Sequence, residues 1–368
     1  MNILVVLGGI GVEGISNIAL SYLEEFEKSD AQFSLAIGGP SEKMMLERAR
    51  KIGIPIYELP YRKKNPAHFY PALIKLICKH HFDIIHVHGN SATMALDMFS
   101  AMLAGCKIRL PHTHNTACDS GRVSSMLKPI LNALMTEGFA CGQLAGEWLY
   151  GKNGSFKVIN NGRKVERYLY CEKDRAIYRK KLGLIDGQKA IGHVGTFTDQ
   201  KNQEFLIRSF SRINDEMYHL FLFGDGPLRQ NNEELVKELQ LEKRVLFCGN
   251  VSDINGYLNA MDVMALPSRY EGLPLVSIEW QINGLPCVIS SNVTKDCKIM
   301  KNVIFMDVQE DNHNEWAECI VELSKNPRKI ITDEEVYERV TRAGFNITEN
   351  AAELKREYQH LLEMKGII

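Results

Sequence analysis

The stretch RYEGLPLVSIEWQINGLPCVIS places two glutamates, Glu271 and Glu279, around a turn formed by Gly272, Leu273 and Pro274. Glycine lets the backbone approach a ligand closely, and proline suits the first turn of a helix, where its missing N–H costs nothing. The free N–H groups and positive dipole end of that helix favour a phosphate group. The spacing therefore predicts a phosphate-binding helix start, with one carboxylate at its mouth and another about two turns further along.

Two His-x-His pairs, His86 with His88 and His112 with His114, are the other candidates for chemistry. Residues two apart on a strand face the same side, so either pair could supply half of a metal site. No carboxylate or third histidine lies at a suitable local spacing, and no Asp-x-Asp follows a predicted strand. We therefore predict no metal ion. The pairs are either ligand-binding side chains or histidines bonded to the backbone at strand ends.

Short apolar runs alternate with amphipathic helical patterns along the chain, and they predict the elements that position these candidates. Continuous apolar strands separated by helices are typical of a parallel sheet covered on both faces. The pattern gives way to a polar stretch and then restarts. We predict an α/β protein with two doubly wound domains, residues 1–165 and 186–342, joined by a linker over 166–185. Ligands bind at the carboxyl ends of such strands, so the cleft between the domains is the expected site.

The composition is that of a soluble globular protein, with 368 residues, 45% of them hydrophobic, and a net charge of -1. No run approaches the ~18 apolar residues of a membrane span, and the N-terminus lacks the pattern of a secretory signal. The nine cysteines are scattered without a Cys-x-x-Cys pair, which indicates reduced thiols in a cytoplasmic protein. The first 167 residues are net basic and the rest net acidic. Either the two halves attract each other, or the basic half meets an anionic partner. No nucleic-acid partner is expected.

Five motifs occur in a fixed order along the chain: GG-x-G near the N-terminus, GHVGTFTDQKN, FGDGPL, AMDVMALPSRYEGLPLVSIEW and NGLPCVIS. Together they resemble the retaining glycosyltransferases of family 4. The resemblance implies the GT-B fold of two Rossmann-like domains and a nucleotide-activated sugar as donor. It also implies a C-terminal helix, residues 343–368, that crosses back to the first domain. PHTHNTA and AGEWLYG add a similarity to bacterial enzymes that build capsular or exopolysaccharides.

The resemblance assigns roles to residues around the Gly-Leu-Pro turn. Glu271 corresponds to the glutamate that contacts the donor sugar and supports the charge developing at its anomeric carbon. Glu279 corresponds to the glutamate that binds the ribose, and the backbone of residues 272–274 faces the diphosphate. Lys201, in TDQKN, corresponds to the cation that neutralises the leaving diphosphate.

Thr196 departs from the family pattern, because an arginine usually follows the glycine at this point. A hydroxyl donates one hydrogen bond but carries no charge, so the phosphates lose a cation there. Arg269 or His193 could compensate, and the sequence does not choose between them. Thr196 is still expected to line the donor site.

Two loops and one histidine complete the site that the resemblance implies. The histidine that approaches a hydroxyl of the donor sugar corresponds to His112 or His114, and His114 is favoured because an asparagine follows it. One loop borders the donor phosphates and the acceptor, and the other holds the nucleobase through backbone atoms. The loop residues expected to contact the donor are Gly9, Gly11, Asn250 and Val251.

We therefore predict a metal-independent retaining hexosyltransferase. It moves a sugar from a UDP- or GDP-sugar to a hydroxyl of a glycan or lipid-linked glycan in surface polysaccharide biosynthesis. No cofactor is expected beyond this donor substrate. Two alternatives remain open: a catalytically weakened subunit that binds a partner, motivated by Thr196, and a nucleotide-sugar 2-epimerase. The basic and aromatic stretch over residues 61–81 is either a solvated helix face or a contact to anionic lipid at the inner face of the cell membrane.

Overall fold

The computed structural model describes residues 1–11, 14–26, 31–115, 121–325, 328 and 331–367. Its contacts divide the chain into two compact units. Unit 1 comprises Met1–Gly162 together with Ile347–Ile368, and unit 2 comprises Arg163–Asn346. The last helix therefore belongs to unit 1, although it follows unit 2 in sequence.

Unit 1 is built on a parallel sheet of seven strands in the order β3-β2-β1-β4-β5-β6-β7. The central strands consist mostly of apolar residues and are buried along nearly their full length. The strands are β1 (Asn2–Leu7), β2 (Gln32–Ile37), β3 (Ile56–Glu58), β4 (Ile84–Gly89), β5 (Ile108–Thr113), β6 (Gly138–Ala140) and β7 (Phe156–Val158).

Amphipathic helices cover this sheet. In the third helix, Phe69, Leu73 and Ile77 recur every four residues and are buried, which is the pattern of a helix with one face on the core. The first six helices are α1 (Ile15–Phe26), α2 (Lys43–Lys51), α3 (Pro66–His80), α4 (Met94–Leu103), α5 (Gly121–Leu134) and α6 (Gln143–Tyr150).

Unit 2 is built on a parallel sheet of six strands in the order β10-β9-β8-β11-β12-β13. After β8 the chain adds β9 and β10 on one side, and it then returns to add the other three strands on the opposite side. The point where the order reverses is where ligands bind in open α/β sheets. The strands are β8 (Lys189–Val194), β9 (Tyr218–Phe223), β10 (Val245–Gly249), β11 (Val263–Leu266), β12 (Cys287–Ser290) and β13 (Val303–Met306).

Two apolar clusters, one containing Trp280 and the other Trp316, form the core of unit 2 and share its central strands. Ala190 of β8 belongs to the first cluster and the adjacent Ile191 to the second, so the sheet is covered on both faces. The helices are α7 (Val165–Tyr168), α8 (Glu172–Lys181), α9 (Gln203–Phe210), α10 (Arg229–Glu238), α11 (Ile254–Ala260), α12 (Leu275–Ile282), α13 (His313–Lys325) and α14 (Asp333–Arg342).

The last helix, α15 (Ile347–Met364), packs against α1 in unit 1. It buries Leu354, Tyr358 and Leu361 on one face, as its helical spacing predicts. The α/β class and the two doubly wound sheets that the sequence predicts are confirmed.

Residues 166–185, assigned to a linker from the sequence, instead carry α7 and α8 within unit 2. The α8 helix buries none of its residues, so it lacks the apolar periodicity by which a helix is recognised. Ion pairs hold it in place: Arg175 and Arg179 bind opposite oxygens of Asp262 at 2.6 and 3.2 Å. Tyr178 alone of its residues packs partly on the apolar core, so in sequence the segment resembles a polar linker.

The described part of the chain also bears on two expectations from composition. Its eight cysteines are all free thiols, as their scattered positions predict. None of its helices is both long enough and apolar enough to cross a bilayer.

Gly39→Ala is expected to destabilise unit 1. A Cβ at this position would lie 1.8 Å from the carbonyl oxygen of Gly8, in the loop after β1, and backbone cannot move aside cheaply. We expect a loss of about 2 kcal/mol or more in the free energy of unfolding, measured by urea denaturation. Gly121→Ala is the matched control, because a Cβ there meets no atom within 4 Å. Equal unfolding midpoints for the two variants would contradict the close approach.

Candidate active site

An ion pair joins the loops that follow β8 and β11. Lys201 Nζ lies 2.6 Å from Glu271 Oε1, and Ser268 Oγ donates to the same oxygen at 3.0 Å. Both loops leave the carboxyl ends of neighbouring strands, at the point where the strand order of unit 2 reverses. The structure thus brings together the predicted cation and the first predicted carboxylate.

Backbone and amide hydrogen bonds hold these two loops to each other. The Arg269 N–H donates to the Gln200 carbonyl at 2.8 Å, and Gln200 Nε2 donates to the Tyr270 carbonyl at 3.1 Å. Asn202 Nδ2 donates to the Pro267 carbonyl at 3.2 Å. Lys201 and Glu271 are therefore positioned by a rigid loop pair and not only by their mutual attraction.

The start of α12 lies directly beyond Glu271 in sequence. Pro274 is the N-cap residue of α12, one position before the first helical turn in which the sequence predicts it. Ser277 Oγ donates to the Pro274 carbonyl at 2.8 Å. A Cβ added at Gly272 would meet no atom within 4 Å, so the space in front of this turn is open. Open space beside a helix N-terminus and a lysine can hold an anionic group.

Glu279 is buried and already accepts two hydrogen bonds. Arg163 Nε lies 2.6 Å from its Oε1, and the Tyr168 hydroxyl donates to the same oxygen at 3.1 Å. Sequence reasoning missed both partners, because they precede Glu279 by more than a hundred residues. The sequence Asn-Gly-Arg at the end of the first apolar pattern could have indicated one of them, because it places the cation Arg163 at the point where the chain enters unit 2.

Of the two residues suggested as substitutes for the missing arginine at Thr196, one is already paired with a carboxylate and the other is neutral. Arg269 is half exposed and pairs with Asp199 at 3.1 Å. His193 is fully buried, and its Nδ1 lies 2.9 Å from the Ala265 carbonyl. Burial lowers the pKa of His193 to about 4, so it is neutral at pH 7. Among these candidates, Lys201 is the cation closest to Glu271.

The loop glycines have packing roles of their own. A Cβ at Gly9 would lie 2.7 Å from the Pro40 carbonyl, and the Gly11 N–H donates to Ser16 Oγ at 3.0 Å. In unit 2, Asn250 is exposed and Val251 packs partly on the core, directly after β10. These positions follow the carboxyl ends of strands, and Gly9 is also needed for the close approach of the loop to Pro40.

Four histidines lie together in unit 1, which local spacing did not reveal. In the parallel register His88 pairs with His112, so the two His-x-His motifs of β4 and β5 share one side of the sheet. The rings of His86 and His88, and those of His112 and His114, stack with centroids 4.2 Å apart. The third histidine absent from either motif is supplied by the neighbouring strand.

Two hydrogen-bonded chains run through this cluster. His114 Nδ1 lies 3.0 Å from Asn161 Oδ1, and His114 Nε2 lies 2.8 Å from His88 Nδ1. If Asn161 accepts, His114 donates through Nδ1 and accepts from His88 through Nε2, so both rings are satisfied as neutral tautomers. His86 bridges the Tyr358 hydroxyl at 2.6 Å and His112 Nδ1 at 3.2 Å.

Burial makes all four rings poor bases. It lowers the pKa of His86 to about 3 and that of His114 to about 4, and it holds those of His88 and His112 well below 6.5. His112 is 0% exposed, whereas His114 is partly exposed. Of the two predicted ligand-binding histidines, therefore, His114 has a surface that a ligand could touch and His112 does not.

The nitrogens of His86, His88 and His112 lie within 4.8 Å of one another, which is close enough to consider a metal ion. The rings are nearly parallel, with interplanar angles of 28° between His86 and His88 and 5° between His86 and His112. His86 Nε2 and His112 Nδ1 already bind each other at 3.2 Å, and His86 Nδ1 binds the Tyr358 hydroxyl, so a metal ion would have to displace these hydrogen bonds. This arrangement suits a hydrogen-bonded stack, and we assign no metal to it.

The histidine cluster should make unit 1 sensitive to acid. A folded pKa of about 4 for His114, against 6.5 in the unfolded chain, means that the unfolded chain binds more protons as pH falls below 6.5. Stability is then lost at about 1.4 kcal/mol per pH unit for each such histidine. We expect His86→Phe to flatten the dependence of the thermal midpoint on pH between 7 and 4.

His68→Gln, which removes an exposed histidine of α3, is the control and should keep the wild-type slope. Parallel pH profiles for wild type and His86→Phe would show that the buried ring does not resist protonation.

Comparison with known proteins gives three concordant results. Residues 188–326 match the family described as glycosyl transferases group 1. The chain is 27% identical over 97% of its length, and 96% of the relative's, to the putative glycosyltransferase EpsF of Bacillus subtilis. It is 26% identical, over 78% of each chain, to the UDP-Gal:alpha-D-GlcNAc-diphosphoundecaprenol alpha-1,3-galactosyltransferase of Escherichia coli.

The comparison with solved structures shows a similar fold. The crystal structure of Anabaena Alr3699/HepE in complex with UDP aligns with a TM-score of 0.79, at 17% identity, over 98% of this chain and all of that one. The two Rossmann-like sheets, the matched domain and the full-length relatives agree with one another. The chain has the GT-B fold, and residues 188–326 carry its similarity to the group 1 glycosyl transferases.

Proposed function

We propose that this protein transfers a sugar, with retention of anomeric configuration, from a nucleotide-diphosphate sugar to a hydroxyl of a glycan or lipid-linked glycan. The observation that carries the proposal is the Lys201–Glu271 pair beside the open start of α12. A cation for phosphate, a carboxylate for a developing positive charge and free N–H groups then lie next to one another.

The comparisons favour a uridine nucleotide and a lipid-linked acceptor. The structure of Anabaena HepE contains UDP, and the Escherichia coli relative is named for UDP-Gal and a diphosphoundecaprenol acceptor. Relatives named for amylovoran, Vi polysaccharide and O-antigen biosynthesis support a role in surface polysaccharide synthesis. In this proposal the enzyme works at the cytoplasmic side of a membrane that holds its acceptor.

The proposed step is a front-face displacement. The bond between the anomeric carbon and the diphosphate oxygen breaks, and the acceptor oxygen forms its bond on the same face. The acceptor proton goes to the departing diphosphate oxygen. Lys201 and the backbone N–H groups of Gly272, Leu273 and Leu275 stabilise the charge on that diphosphate, and Glu271 supports the cationic character of the sugar.

Glu279 is proposed to bind the ribose hydroxyls. Arg163 and Tyr168 fix its carboxylate, so the ribose meets an acceptor that is already oriented. Asn250 and Val251 are proposed to border the nucleobase, and Thr196 the phosphates. Of the predicted histidines we keep His114 alone, since its partial exposure permits contact with a sugar hydroxyl.

We propose that catalysis needs no metal ion, because Lys201 supplies the positive charge that a divalent cation would otherwise bring to the diphosphate. Transfer that is unchanged after treatment with EDTA would support this. Retention is read from the anomeric proton coupling of the product, and donor incubated without acceptor reveals any epimerised sugar.

Donor binding should depend on Glu279. We expect UDP or a UDP-sugar to raise the thermal midpoint of wild type, and Glu279→Ala to lose most of this shift because the ribose loses its acceptor. The measurement is a panel of UDP, GDP and ADP with their sugars, each shift taken against the same variant without ligand.

The matched control is Glu338→Gln, on the exposed face of α14, which pairs with Arg342 and should keep the full shift. The ligand-induced shift is compared within each variant, so a lower starting stability of Glu279→Ala does not affect the result. A panel with no shift in wild type would overturn the donor site.

The second candidate, a weakened subunit that binds a partner, is favoured by one observation: Thr196 brings no cation, and neither Arg269 nor His193 replaces it. We expect wild type to be active all the same, because Lys201 is in place. Thr196→Arg should then change kcat by less than about tenfold, whereas a site short of its main oxyanion donor would gain 10²-fold or more. A large gain from an inactive wild type would establish the weakened subunit.

A further inference from the structure

Unit 1 exposes large apolar residues on two neighbouring helices. On α4, Leu96, Phe99 and Leu103 follow the i, i+3, i+7 spacing of a single stripe, and Leu103 is 59% exposed. The α5 helix, which packs beside α4, repeats this spacing with Val123, Met126 and Ile130, and Met126 is 78% exposed. We call these six residues the apolar face.

The α4 helix is apolar on both faces, because it buries Met94 and Met98 in the core and also exposes large apolar residues. Its one charged side chain, Asp97, is fully buried and accepts from Arg62 Nη1 at 2.9 and 3.0 Å. A surface helix of a globular protein normally turns its charge outward and its large apolar residues inward. Here the helix holds its charge inside and presents Leu96, Phe99 and Leu103 to the surroundings, which is the arrangement of a surface that meets another apolar phase.

The surroundings of the apolar face are basic. Lys75 and Lys79 are exposed on α3, whose Cys78 reaches the Ala104 carbonyl at the end of α4, and Lys107 and Arg122 are also exposed. Within residues 59–115 and 121–136 there are two acidic residues. Asp97 is buried under Arg62, and Asp83 is held by the Asn2 N–H at 2.7 Å. No exposed carboxylate in those ranges offsets the positive charge.

We propose that the apolar face docks on an anionic lipid bilayer. Six apolar side chains in two adjacent stripes would enter the boundary between headgroups and acyl chains, and the surrounding lysines and arginine would meet lipid phosphates. A second copy of the chain fits less well. A two-fold interface would set the same basic rim against itself, with no exposed acidic partner in these ranges to compensate.

This inference rests on the proposed function and places its membrane contact on α4 and α5 instead of on residues 61–81. The stretch 61–81 supplies basic residues, but its apolar ones, such as Phe69, Leu73 and Ile77, are buried in the core of unit 1. They cannot enter a bilayer without unfolding α3. The apolar contribution comes instead from α4 and α5, further along the chain.

The test is co-sedimentation of the full-length protein with vesicles of phosphatidylcholine alone or with about 30% phosphatidylglycerol. We expect wild type to bind the anionic vesicles and to leave them as salt rises. The triple variant Leu96→Ser, Phe99→Ser, Met126→Ser should bind at least about tenfold more weakly. The matched control removes three exposed apolar residues from unit 2, Ile177→Ser, Ile185→Ser and Ile304→Ser, and should bind as wild type does.

Three results would overturn the proposal: no vesicle binding by wild type, equal binding to neutral and anionic vesicles, or the same loss in the control variant. A wild-type dimer that the apolar-face variant converts to a monomer, with no vesicle binding, would assign the surface to a second copy instead. The UDP-induced thermal shift is measured on the same samples. An apolar-face variant that keeps this shift is folded, and its vesicle result then bears on docking and not on the donor site.

Discussion

The sheets of both units are covered by helices, so a polar side chain on a central strand can meet a ligand only where the strand ends and a loop begins. In unit 2, Ala190 and the adjacent Ile191 point into separate apolar clusters, and the polar His193 further along the same strand is fully buried. Lys201 and Glu271 follow neighbouring strands for this reason. In unit 1, the strand residues His86, His88 and His112 are buried, and only His114, directly after β5, is partly exposed.

This constraint also explains how much the sequence could predict. Apolar runs and helical spacing are local, and they were sufficient for the two sheets and for the loops that carry Glu271 and Lys201. The pairing of His88 with His112 depends on the register of two strands, and the contact of Arg163 with Glu279 joins distant parts of the chain. Such contacts leave no periodic signal. The α8 helix was missed for a different reason, because it is held by ion pairs to Asp262 and by a single partly buried tyrosine, which do not form a periodic apolar face.

Lys201 and Glu271 carry the charge beside the start of α12. Lys201 is already paired with Glu271 at 2.6 Å, so the first charge a diphosphate meets is a balanced pair and not a free cation. A bound diphosphate would draw the ammonium group away from the carboxylate, and the carboxylate would then face the sugar with less compensation. The donor would in this way strengthen the negative field that favours a cationic transition state.

The Glu279 carboxylate keeps hydrogen-bonding capacity beyond its two existing partners. A carboxylate offers about four lone-pair positions, and Arg163 and Tyr168 bond to the same one of its two oxygens. A ribose can therefore add hydrogen bonds without displacing either partner. The salt bridge weakens the carboxylate as an acceptor, but it removes the cost of orienting a buried charge when the nucleotide arrives. Since Arg163 is the first residue of unit 2 and its N–H donates to the Phe345 carbonyl at 2.7 Å, the orientation of Glu279 is fixed by the strand-like segments where the chain enters and leaves that unit.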